Sequence, residues 1–435
     1  MAALAYSAVH VVVSGIVFPL RNPNLGQVVE ELQPIYRQML YGAATVDQPR
    51  QYGPVFLFLL DPVYRATADN PQRLALYCYA LDVVAALIAL AATLVAIRDW
   101  HRERSEPLPP ALLLGIVVLW ANFGPLYGVL AVKNVELWEL AFIAVACLAL
   151  TRRRAWIAAW CLAAAALTKM LPLVFFPYLL LRDRRTFLRA VAALVVILVA
   201  AQLVYGSDMG INYFPNMIRA GAGASGFGNA VGLTWHENVS IRGVVTKAFG
   251  YLETPDPQHP NPYYSRGYYV IVRPGFQRAS VIIGVVLQGL AFVWTAWMLW
   301  KPRDWSERTR WLWDFAFLGA MMLVLAPQAS HDYMVLSLGA FSFALALCVR
   351  GDARWPSFVA ATLLVANVVP RGLFARLVLI DPIVRATGFQ HLTRAEAYQY
   401  FGFPLLGLLL LVINLALATP PAAGLARDEA PAEHL

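Results

Sequence analysis

The sequence predicts an all-α, polytopic membrane protein with about twelve transmembrane helices, and three observations carry that prediction. Of the 435 residues, 60% are apolar and 14% are charged, with a mean hydropathy of +0.58. A soluble domain carries about a quarter charged residues. Several apolar runs reach the roughly 20 residues that a helix needs to cross a bilayer. The runs are continuous rather than alternating over segments of about ten residues, so a membrane β-barrel is excluded. Intrinsic disorder requires the opposite composition.

The expected spans, in order, are 3–20, 76–97, 111–128, 134–150, 155–169, 171–181, 187–205, 279–300, 311–328, 333–349, 355–370 and 400–418. The first, MAALAYSAVHVVVSGIVFPL, lacks a basic leader and a small-residue cleavage site, so it reads as a retained span. The pair at 155–181 is short, and Lys169 and Pro172 interrupt it. Residues 1–418 read as one multi-span domain, with no internal repeat. The Pro/Ala-rich tail 419–435 is expected to be an unstructured extension on the cytoplasmic side.

Charge gives the sidedness. The net charge is +8, and 17 of the 34 Lys and Arg residues fall in short alternate connections or, for Arg427, in the tail. Examples are Arg98, Arg102 and Arg104, the run Arg152–Arg154, and Arg182, Arg184, Arg185 and Arg189. The positive-inside rule makes that side cytoplasmic, with both termini inside. It also explains the basic balance without nucleic acid as a partner. The long segments 21–75, 206–278 and 371–399 then share the outer face. Cys78, Cys147, Cys161 and Cys348 lie within apolar runs without metal-ligand spacing, and read as small buried hydrophobes.

The polar residues that interrupt this pattern are the candidates for chemistry. In the first outer segment, GPVFLFLLDPVY is too short to span. It either dips into the membrane, lies on its surface, or packs under other loops. Glu30, Glu31 and Asp47 are carboxylates upstream of it. Glu136 and Glu139 share a helix face just after Lys133, and Lys133–Glu136 is the expected structural ion pair. Asp82 lies inside a span, where an ionisable group needs a partner or a cavity. Lys169 either meets a phosphate by charge or snorkels to the interface. Gly221, Gly223 and Gly226 match a dinucleotide fingerprint formally, but not in a strand–helix context. His236, Glu237 and Asn238, followed by Arg242, form a dense polar cluster, and Asn238-Val239-Ser240 is also a sequon. Ser330, His331 and Asp332 stand at the outer mouth between two spans; a hydrolase triad converges in space and does not sit side by side.

Five stretches taken in order, QYGPVFLFLLDPVY, LAVKNVELWELAFI, AALTKMLPLVFFPYLLLRDRRTFLRA, ENVSIRGVVTKAFG and LAPQASHDYMVLSL, resemble glycosyltransferase family 87. The resemblance implies a GT-C-like fold with its site at the outer face of the bacterial cytoplasmic membrane. It also implies a polyprenyl-phosphate-linked sugar as donor and a lipid or glycan as acceptor, with mannose, another hexose or arabinofuranose transferred.

Where that family commonly carries Asp-Leu-x-x-Tyr, this chain reads Asn24-Leu25-Gly26, so Asn24 stands in the place of the carboxylate. The base for the acceptor hydroxyl then falls to Glu31, Asp47 or His331, with Glu30 a further carboxylate in reach of that role. The leaving group is a phosphate, which needs charge stabilisation more than a proton. Lys169 and Arg242 are the candidates for it, and His236, Glu237, Asn238 and Asp332 for the rest of the substrate. One base with cations, rather than the paired carboxylates of glycoside hydrolysis, suits an inverting transfer. No cofactor or metal is expected. A transporter or flippase of a lipid-linked or anionic substrate is the alternative, but transporters commonly show repeated halves.

Overall fold

The computed structural model describes residues 2–21, 53–67, 70–207, 209–215, 233–235, 238–253, 269–327, 329–366 and 394–419. Short polar side chains fix where several helices begin. Asn70 accepts from Arg73 N at the start of Pro71–Glu103, and Asp183 accepts from Arg185 N and Thr186 N at the start of Arg184–Tyr205. Ser306 does the same for Glu307–Leu325, and Ser240 for Ile241–Ala248. Each satisfies a backbone donor that an uncapped helix would leave bare.

The first helix, α1, runs through Ala2–His10, a π segment Val11–Val17 and Phe18–Arg21. Helix α2 is Pro54–Ala66, the short apolar stretch of the first outer segment. It buries Phe56, Leu57, Leu60 and Tyr64 against its neighbours, which favours the packed alternative. Helices α3 (Pro71–Glu103), α4 (Pro110–Ala121), α5 (Gly124–Val132), α6 (Glu136–Thr151) and α7 (Ala155–Thr168) follow. A 3-10 turn, Leu171–Val174, leads into α8 (Phe175–Arg182), then α9 (Arg184–Tyr205).

The expected span 111–128 is broken. Helices α4 and α5 meet at 44°, because Gly124-Pro125 starts a new helix and Pro125 cannot donate to the old one. Asn122 fills the break, donating to Ser7 Oγ and Val118 O at 2.7 Å each.

The segment 206–278 holds something the all-α expectation missed. Strands β1 (Leu233–Trp235), β2 (Gly250–Glu253) and β3 (Tyr269–Val272) form an antiparallel sheet in the order β1-β3-β2. Helix α10 (Ile241–Ala248) lies between β1 and β2 in sequence. Strands this short carry too few residues to show a period.

The remaining helices are α11 (Gln277–Trp300), α12 (Glu307–Leu325), a 3-10 segment Asp332–Ser337 running into α13 (Leu338–Arg350), α14 (Trp355–Ala366), α15 (Arg394–Tyr400) and α16 (Phe403–Leu417). Helix α12 sits at the centre: Trp313, Phe317 and Met321 are buried, and Trp313 stacks on Phe317 with ring centroids 4.7 Å apart. In contrast, α9 and α11 expose Leu188, Val196, Leu203, Phe292 and Val293. Apolar surface turned outward along helices of this length suits a lipid solvent.

Among the described residues, four helices are long and apolar enough to span, or five if the bent pair is one span. The other expected spans correspond to shorter apolar helices or, for α12, to a helix carrying several charges. The protein is thus built as an all-α membrane bundle with one small sheet.

The bundle has two distinct ends. At one, the arginine-rich connections meet: Arg152 Nε lies 2.8 Å from Asp99, Arg308 donates to Asp99 O at 2.9 Å, and Arg350 pairs with Glu106. The second end gathers α2, the start of α6, the end of α7, α10 and the 3-10 segment.

Candidate functional site

The second end is assembled around two interruptions. Helix α7 stops at Thr168 because Lys169 takes an extended conformation (φ −147°, ψ 153°). That frees the Thr168 carbonyl, and Gly53 N donates to it at 2.9 Å. A Cβ on Gly53 would stand 1.9 Å from the Leu167 carbonyl oxygen and 2.8 Å from Tyr213 Oη, so only glycine fits. This is the physical content of the Tyr-Gly-Pro stretch.

Beyond the break, Lys169 turns into the protein. Its Nζ lies 2.5 Å from Glu136 Oε1 and 4.2 Å over the Tyr333 ring. Lys169 therefore does not snorkel, and the expected Lys133–Glu136 pair gives way to Lys169–Glu136. Lys133 instead adopts φ 53°, closing α5, and donates to Ala131 O at 3.3 Å. Spacing along one helix suggested the nearer lysine; the fold supplied the one 33 residues away.

Glu139, three residues along α6 from Glu136, is fully buried, and neither of its carboxylate oxygens has a hydrogen-bond partner among the described residues. Lys169 and Glu136 are its charged neighbours. Tyr213 Oη is likewise buried without a hydrogen bond, and burial together with the Glu139 charge pushes this phenol upward. Asp82 of α3 faces Glu136, Lys133 and the Trp138 indole. Both glutamates occupy the first turn of α6, where the helix dipole favours negative charge.

The second interruption is residues 329–333. Ala329 N donates to Asn238 Oδ1 at 3.2 Å, and Ala329 O accepts from Val239 N at 2.7 Å. The His331 ring lies edge-on to Tyr398, with centroids 6.5 Å apart. The Asp332 carboxylate stands over Gly128, so close that a Cβ there would be 2.3 Å from it. Tyr333 covers Lys169. Successive residues of one short run thus contact α10's approach, α15, α5 and the Lys169 cluster.

The sequence candidates divide accordingly. His331, Asp332, Asn238 and Lys169 converge on this run. Asn238 Oδ1 also accepts from Ser240 N at 3.0 Å, while Ser240 Oγ donates to Pro327 O at 3.1 Å. Arg242 packs its stem against Gly284 of α11, with Cγ 3.4 Å from an added Cβ. Asn24, Glu30, Glu31, Asp47, His236, Glu237 and the glycines 221, 223 and 226 lie outside the described residues. Tyr213, Tyr333 and Tyr398 were missed, since an aromatic in an apolar chain carries no signal of its own.

No group of three or more His, Cys, Asp or Glu among the described residues has the arrangement to hold a metal ion.

A multi-pass helical protein with apolar surface turned outward and charged side chains buried within its bundle is a membrane protein. Residues 51–327 match the model of glycosyltransferase family 87, and the chain belongs to that family. It is a membrane glycosyltransferase. No curated protein and no solved structure matches the chain.

Proposed function

We propose that the protein moves a sugar from a polyprenyl-phosphate donor to a lipid or glycan acceptor, with inversion, at the end of the bundle opposite the arginines. The sugar is mannose, another hexose or arabinofuranose. By the positive-inside rule this end faces away from the cytoplasm of a bacterial cell, in a GT-C-like arrangement. The observation that carries this reading is the convergence on residues 329–333 of His331, Asp332, Asn238 and the Lys169 cluster, within a chain of this family.

In the proposed step His331, as neutral imidazole, takes the proton of an acceptor hydroxyl. The oxygen forms a bond to the anomeric carbon, the carbon–oxygen bond to phosphate breaks, and polyprenyl phosphate leaves as the anion. Lys169 and Arg242 supply positive charge, Lys169 with Glu136 as its standing counter-ion. Glu31 and Asp47 are the rival bases, and Asn24, His236 and Glu237 belong to the substrate-facing segments. The step needs no metal.

The test is sugar transfer by purified protein in lipid, using radiolabelled polyprenyl-phosphate sugars and a membrane-lipid acceptor extract. Product from wild type, lost in His331→Ala and kept in Glu31→Gln and Asp47→Asn, supports the assignment. Loss in a carboxylate variant with His331→Ala active moves the base to that carboxylate. No product from folded protein with any donor sinks the reading.

A further inference from the structure

A groove of ≈ 270 Å³ runs between α8, α11 and α12. Its walls include Val174, Pro177, Phe292, Ala296 and Leu325, and its flanks expose Leu181, Phe292 and Trp300. It opens where the bundle shows apolar surface, so its apolar length lies along lipid. Water would leave such walls unpaired, whereas acyl chain would match them.

One end of this groove differs from the rest. Arg182, Arg310 and Tyr178 line it there. Behind them lies Asp314, which accepts from Tyr178 Oη at 2.5 Å and faces Arg310 at 3.8 Å. Arg182 and Arg303 also surround this carboxylate. Arg303 stacks 3.5 Å from the Trp313 ring centroid and 4.4 Å from that of Trp305. Burial there brings its pKa down to about 10, which leaves it charged at neutral pH. Three guanidinium groups thus share one carboxylate, an excess of two positive charges. The Arg182 Nε, although buried, has no hydrogen-bond partner. The nearby Asp183 is spent capping α9.

We propose that this groove holds one anionic phospholipid, its phosphate on Arg182 and Arg310 and an acyl chain along Phe292 and Ala296. The charge excess selects the head group, and the apolar length selects a molecule with a tail rather than free phosphate. The groove uses none of residues 329–333, and the proposal is independent of the proposed transfer reaction.

The test is retention of lipid by the intact protein in native mass spectrometry, after exchange into phosphatidylglycerol or phosphatidylcholine. Wild type should keep one phosphatidylglycerol at least about five-fold better than phosphatidylcholine. Arg182→Gln should abolish that preference, and Arg182→Lys should keep much of it. Ala296→Trp, which fills the groove without touching charge, should remove the bound lipid altogether. Equal retention of both lipids by wild type would overturn the proposal. So would unchanged retention in both Arg182→Gln and Ala296→Trp, or phosphatidylglycerol displaced by inorganic phosphate alone.

Discussion

The two ends of the bundle treat charge in opposite ways. At the arginine-rich end Asp99, Glu103, Glu106, Glu307 and Asp352 each face an arginine. The most exposed of those pairs is Arg153 with Glu307, at 84% and 55% side-chain exposure. At the other end Glu136 and Glu139 are fully buried, with one short ion pair between them and the rest of the chain. Among the described residues, Glu139 and Tyr213 keep side-chain oxygens without hydrogen-bond partners there, whereas at the arginine-rich end the buried unpartnered atoms include nitrogens of Arg98, His101, Arg104, Arg182 and Arg303. Exposed pairs contribute little stability and tolerate loss. Buried polar atoms left unsatisfied cost free energy, and a protein keeps them where something else uses them. The difference separates an end where arginines meet carboxylates close to the surface from an end where two carboxylates are buried on one helix.

Substitutions can break or sharpen that contrast. The largest effect is expected at His331: replacement by alanine should lower the transfer rate by about 10²- to 10⁴-fold in the labelled-sugar assay, with little change in melting temperature. Lys169→Met comes next, since it leaves Glu136 charged and alone. It should cost about 3–5 kcal/mol by denaturant titration in detergent, and Lys169→Met combined with Glu136→Gln should recover part of that. Gly53→Ala forces a Cβ onto the Leu167 carbonyl and should cost about 1–3 kcal/mol or more. Asn238→Ala removes an acceptor from two backbone donors, at about 1–3 kcal/mol, read as loss of hydrogen-exchange protection at Ala329 and Ser240. The smallest effect belongs to the opposite end, where Arg153→Ala should change stability by less than about 0.5 kcal/mol. An arginine-end variant as damaging as Lys169→Met would erase the contrast.

Much of this was legible in the sequence. Long apolar runs announce their own helices, because burial of backbone in lipid permits nothing else, and alternate basic connections announce a shared end. The Ser330-His331-Asp332 run and Lys169 stood out because polar residues between apolar neighbours are costly. The pairing of Lys169 with Glu136 was not legible, since it depends on how α6 and α7 pack. Nor was Gly128 as the docking point for Asp332, or the backbone bonds that Asn238 Oδ1 accepts. The three-stranded sheet escaped because its strands are shorter than the pattern that reveals strands.

The bond between Gly53 N and the Thr168 carbonyl has a consequence for how the chain reaches its final form. Its acceptor exists only because α7 ends where Lys169 turns away, and its donor sits far upstream in sequence. The helices that follow α2 must therefore be in the bilayer before Gly53 can lock in place. Local contacts form early and distant ones late. The anchor at the start of α2 is then a late closure, made once α7 is in place. Synthesis arrested before α7 would leave α2 unlatched.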